Sequence, residues 1–287
     1  MSKHKIGWLN IPGYKGETWN PVVGCSKVSA GCENCYAEAM AKRLKSMGLP
    51  QYQDVVDDNG WTGVVAEVQG TLRKPLHWKK PRAIFVCSMG DLFHESVSES
   101  AIDWVYTTMA QAYQHIFIVL TKRPQRAVKW YRKRGFTVEY YEPFPNVWLG
   151  VTAENQETAN KRIPDLLKVP AAVRFVSVEP MLGAVDLLSI PYNSLGALHK
   201  MNALNGYGGW GDYDRNKYKL DWVICGGESG PHARPMNPDW ARDLRDQCKA
   251  AGVPFFMKQM SGRTPAERQD IPPDLMIRQF PKILEEK

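Results

Sequence analysis

The stretch Ile116-Phe117-Ile118-Val119-Leu120-Thr121-Lys122-Arg123-Pro124 runs from five apolar residues through a threonine into two cations and a proline. A short apolar run bounded by polar residues reads as a strand buried on both faces, and proline suits the first position of a helix. A strand passing directly into a helix, here expected over 123–134, is half of a βαβ unit. The same rhythm extends in both directions. Apolar runs recur at 83–87, 147–151, 173–178, 222–225 and 254–257, and residues 18–24 read as a first strand. Helical patterns fall at 36–47, 97–113, 155–168 and 237–251, the last opening on Asn237-Pro238, a cap followed by proline.

Strands alternating with helices predict an α/β protein with parallel strands. Seven such runs, each with polar or glycine-rich residues at its carboxyl end, suit a partial or full (β/α) TIM-like barrel better than an open doubly wound sheet. Periodicity alone does not separate the two, and in both the active site lies at the strands' carboxyl ends. We expect one domain over 1–287, with inserts near 50–80 and 191–220 that read as lids or binding loops. The second insert includes the aromatic, glycine-rich stretch from Asn205 to Tyr213.

Lys and Arg total 37 against 30 acidic residues, a formal charge of +7. That balance favours a polyanionic partner without naming one, and a basic enzyme acting on a small molecule remains an alternative. Trp78-Lys79-Lys80 and Lys129-Trp130-Tyr131-Arg132 set aromatic rings beside cations, as nucleic-acid or nucleotide binding requires, although side chains snorkelling over a core give the same adjacency. No apolar stretch approaches the roughly 18 residues that span a bilayer. We therefore expect a cytoplasmic protein with no membrane partner.

Six cysteines in a reducing compartment do not make a disulfide framework. Three of them, Cys25, Cys32 and Cys35, fall within eleven residues, while Cys87, Cys225 and Cys248 are scattered. Three thiolates on one loop can hold three irons of a cube and leave the fourth iron open, whereas structural zinc wants four protein ligands. A distant ligand such as His94 or Cys225 would complete a zinc site, and three ordinary buried thiols are the remaining reading.

The three-cysteine loop between a first strand and a helix resembles the signature of the radical S-adenosylmethionine enzymes. Trp19-Asn20-Pro21, Gly24-Cys25 and Gly31-Cys32-Glu33-Asn34-Cys35-Tyr36 resemble, more closely, a poorly characterised phage and bacterial family placed near them. That likeness extends through Gly150-Val151-Thr152-Ala153-Glu154, Ser177-Val178-Glu179-Pro180 and Gly226-Gly227-Glu228-Ser229-Gly230. Six residues separate the first two cysteines where three are common in the superfamily, and Tyr36 follows the last cysteine instead of preceding it.

The resemblance implies a [4Fe-4S] cluster on Cys25, Cys32 and Cys35, S-adenosyl-L-methionine as second cofactor, and an electron donor such as flavodoxin or ferredoxin. It implies reductive cleavage of S-adenosylmethionine and hydrogen abstraction from a substrate. Gly90 and Asp91, ending the second strand, stand where the superfamily holds the cofactor's ammonium. Thr152 and Glu154 stand where it holds ribose, while Glu179, Gly226, Gly227 and Glu228 are further cofactor candidates. Lys122, Arg123 and Lys258 are substrate candidates, with His232 and Arg234 nearby. Two functions stay open: an enzyme modifying or repairing a nucleic-acid base, and a non-catalytic nucleic-acid-binding or partner protein stabilised by zinc or an iron–sulfur cluster.

Overall fold

A computed structural model describes residues 4–138, 144–194, 197–206 and 218–282. Two compact units emerge, one of Met1–Val151 with Val169–Ala172 and the other of Thr152–Lys168 with Val173–Lys287. In the first, β1 (Lys15–Trp19), α1 (Tyr36–Ser46), β2 (Arg82–Val86), α2 (Glu99–Gln111), β3 (Ile116–Thr121), α3 (Pro124–Lys133) and β4 (Val147–Thr152) follow in order, the last residue of β4 opening the second unit. Strand β2 pairs with β1 and β3, and β3 with β4, all parallel. The second unit holds α4 (Gln156–Leu166), β5 (Val173–Val178), β6 (Trp222–Gly226), α5 (Pro238–Ala251) and β7 (Phe255–Gln259), with β6 parallel to both β5 and β7. The expected α/β class with parallel strands is thus present in each unit.

Local chemistry sets the helix starts. Ser98 Oγ accepts from Ala101 N at 3.0 Å ahead of α2, Asn155 and Thr158 form a reciprocal capping box on α4, and Pro124 and Pro238 occupy first-turn positions of α3 and α5. The one strand misread is the first. It does not cover 18–24: β1 ends at Trp19, and Val22–Val23 instead pairs antiparallel with Ala66–Glu67. Pro21 has no N–H for a ladder and breaks the run between them.

The 50–80 insert is not a loose lid. Val56–Asp57 and Gly60–Trp61 form a small hairpin, and Tyr52, Val55 and Val56 pack with Val23, Ala37, Ala41 and Met89 in a core that also takes Cys35. Glu38 of α1 accepts from Trp61 N at 3.2 Å, so the insert buttresses the helix that follows the cysteines. In the other insert, Ile190–Ser194 pairs antiparallel with Ala197–Met201, while Tyr207–Tyr213 lie outside the described residues. Among the described residues no helix is long and apolar enough to cross a membrane.

Candidate functional site

The cysteine loop leaves Val23 and is fastened at once to the carboxyl end of β2. Gly24 adopts a φ of +97°, and a Cβ there would lie 2.4 Å from the Val64 carbonyl oxygen. Its N–H donates to Met89 O at 3.0 Å, and a Cβ on Gly90 would lie 2.8 Å from the Gly24 carbonyl. Only glycines permit that approach. Asn20 Oδ1 accepts from Met89 N at 3.0 Å and from Ser88 Oγ at 3.1 Å, and the Tyr36 hydroxyl donates to Ser88 O at 2.8 Å. Both ends of the loop are therefore tied to Ser88-Met89-Gly90-Asp91.

Arg123, at the end of β3, joins the loop to the same segment. Its Nη1 points at Cys25 Sγ, 3.7 Å away, and at Asp91 Oδ2, 3.2 Å away. Nη2 donates to Ser26 Oγ at 2.7 Å and Ser26 O at 3.2 Å, and Nε donates to Glu95 at 2.8 Å. Asp91 is 5 % exposed and accepts from four groups: Arg123, Thr121 Oγ1 at 2.8 Å, Lys122 N at 3.1 Å and Phe93 N at 2.9 Å. A carboxylate so occupied inside the protein is a fastening between β2 and β3.

All six cysteines are free thiols, with Cys32 buried and Cys25 and Cys35 half-buried. Burial and the Asp91 carboxylate push the Cys25 thiol up to about 12, against the pull of Arg123. Burial also opposes ionisation of Cys32, but the Lys122 ammonium together with hydrogen bonds at Val28 and Ser29 outweighs it, and that thiol lies below its usual value. Among the described residues no three His, Cys, Asp or Glu side chains gather closely enough to hold a single metal ion. The distant side chains considered for a zinc site already have other partners. His94 Nδ1 accepts from Ser96 N at 3.1 Å, which leaves the proton on Nε2 for Ser26 Oγ at 2.8 Å. Cys225 lies wholly buried on β6 with its sulfur 3.6 Å from Met181 Sδ.

In the second unit, Gly226 follows a break in register between β6 and β7. A Cβ on Gly227 would lie 2.2 Å from the Ser261 nitrogen, while the Gly227 N–H donates to Gln259 O at 2.9 Å. We expect Gly227→Ala to destabilise the protein by roughly 2–4 kcal/mol, since backbone and not a flexible side chain must move; chemical denaturation measures the loss. Glu228 is spent on Arg234, with a contact of 2.6 Å to Nη2, and Glu154, 1 % exposed, on Arg162 at 2.9 Å. Arg162 also donates to Thr152 O at 2.8 Å, so Thr152 and Glu154 form a closed corner. Glu179, at the end of β5, pairs with Lys258 of β7, both half-buried, and a Cβ on Gly226 would sit 3.4 Å from the Glu179 carboxyl carbon.

The rings of the aromatic–basic stretches are taken up by internal contacts with other cations, while Lys79, Lys80 and Lys129 stay exposed. Arg82 lies over the Trp78 ring at 4.5 Å and Arg134 over Trp130 at 4.4 Å, and Trp130 is buried. Sequence reading missed Ser26 and Glu95 altogether and saw His94 only as a zinc ligand. No local signal could have found the network, because Arg123, which joins it, lies 28 residues from Glu95 and 98 from Cys25.

No curated protein and no solved structure matches this chain. A family model does match it, over residues 5–281, and covers nearly its whole length. The chain therefore belongs to the family described as Protein of unknown function (DUF5131).

Proposed function

We propose that this chain is a radical S-adenosylmethionine-type iron–sulfur enzyme acting on a nucleic-acid base, on a partial (β/α) barrel scaffold, with Cys25, Cys32 and Cys35 as cluster ligands. The observation that carries the reading is a loop of three free thiols, fastened through Gly24 and Gly90 and faced by two cations, Arg123 on Cys25 and Lys122 near Cys32. The donor set fits the group. A cube binds each thiolate through a different iron, so its ligands stay further apart than those of one zinc ion, and three soft thiolates serve three of its four irons and leave one open.

When bound, the cluster would supply the single electron for reductive cleavage of S-adenosylmethionine. The chain's own part is positional and electrostatic. Arg123 and Lys122 offset the negative charge that three thiolates bring, and Asp91 holds Arg123 at the loop. In the second unit, Glu179 and Lys258 form an ion pair at strand carboxyl ends, matched in charge to a zwitterionic amino-acid group, and Gly226 puts no side chain beside it. These are our candidates for cofactor and substrate contacts there. A small flavodoxin or ferredoxin is the proposed electron donor.

Anaerobic purification and reconstitution test the reading. We expect about four irons and four sulfides per chain, a paramagnetic signal on reduction and release of 5′-deoxyadenosine when S-adenosylmethionine is added. One zinc and no sulfide would overturn it.

A further inference from the structure

A groove of about 550 Å³ opens between α2 and residues 67–76, floored by Val22, Leu72 and Leu76 and edged by Arg73 and Trp104. Trp104 is 58 % exposed, on a helix whose neighbouring aromatic Tyr106 is buried. The chain beyond Arg73 stays on the same helix and its carboxyl-terminal extension: Gln114 Nε2 donates to Trp78 O at 3.3 Å, and His115 Nε2 lies 3.1 Å from Pro75 O. From residue 68 to residue 90 the sequence contains no acid, while Arg73, Lys74, Lys79 and Lys80 are all exposed. Among the described residues, Arg73, Lys79 and Lys80 make no ion pair. The acid on the groove wall, Glu67, accepts from Ser98 Oγ at 2.7 Å.

We propose that this groove docks single-stranded nucleic acid, with one base stacked on Trp104 and the flanking phosphates held by Arg73, Lys79 and Lys80. Exposed cations without acidic partners call for a polyanion, and an exposed indole on the same groove as Arg73 offers the π-face that every base can use. The volume exceeds that of a single base, which must be unpaired to enter. Thr107, Thr108 and Gln111 offer hydrogen-bonding groups along the same wall. The inference deepens the nucleic-acid part of the proposed function and is independent of the cluster.

The test is fluorescence anisotropy of a labelled oligothymidylate, single-stranded and annealed to its complement, against the reconstituted full chain over a range of salt. We expect preference for the single strand, Trp104→Ala to weaken it roughly 5- to 100-fold, and Trp104→Phe to restore most of the loss. Lys79→Ala with Lys80→Ala should lower the slope of log affinity against log salt by roughly 1–2. Circular dichroism checks that the exposed substitutions leave the fold intact. Equal affinity of Trp104→Ala and wild type, preference for duplex, or no binding by wild type would each overturn the groove assignment. Iron and sulfide content of the same sample reports separately on the enzyme reading.

Discussion

Cys32→Ala is expected to purify as a folded chain that holds almost no iron or sulfide after reconstitution. A cube bound through three thiolates loses a third of its protein ligands with one substitution, and no other thiol of the loop can take its place. His94 has both ring nitrogens engaged, and Ser29, whose Oγ lies 3.9 Å from Cys32 Sγ, is a poor iron ligand. Stability should change little, because a single 3-10 turn carrying one small buried thiol loses only a sulfur atom's packing. Cys87→Ala and Cys248→Ala are the controls: both thiols are buried, burial raises each to about 12, and cluster content should survive either change. Elemental analysis together with the visible spectrum gives the answer. If Cys32→Ala retains full iron and sulfide, the three-cysteine assignment is wrong.

The largest loss of stability is expected from Asp91→Ala, at about 3–5 kcal/mol. The substitution leaves the buried Arg123 guanidinium with only the exposed Glu95 as counter-charge, and strips Thr121 Oγ1, Lys122 N and Phe93 N of their acceptor. Unpaired buried donors and a half-paired buried cation cost more than the interaction contributed when intact. Arg123 also holds Cys25 and Ser26, so cluster occupancy should fall together with stability, in contrast to Cys32→Ala. Asp91→Asn keeps one acceptor oxygen and should fall between wild type and Asp91→Ala. Urea denaturation of the three proteins, paired with iron analysis, separates the cases. An Asp91→Ala protein as stable as wild type would show that the four contacts carry no net weight.

The elements themselves were legible in the sequence because their signals are local. Six of the seven apolar runs form the expected strands within a residue or two, and Pro124, Pro238 and Asn237 mark helix starts through effects confined to one turn. The three cysteines were equally legible, since eleven residues of chain hold them together whatever the rest does. What failed locally was Pro21, whose missing N–H splits the first strand from the cysteine loop.

Side-chain roles at the strand ends were a different matter. Asp91, Glu154 and Glu228 look alike in sequence, each an acid just past an apolar run, yet each is spent on an arginine, Arg123, Arg162 and Arg234. Glu179 alone among the four strand-end acids pairs with a lysine, Lys258, from a strand 79 residues away. Composition and spacing determined that acids stand at the strand ends and that three thiols share a loop. Which acid meets which cation depends on chain segments brought together from 6 to 79 residues apart. Charge pairing in a buried, low-dielectric setting is decided by the few ångströms that only the folded chain supplies.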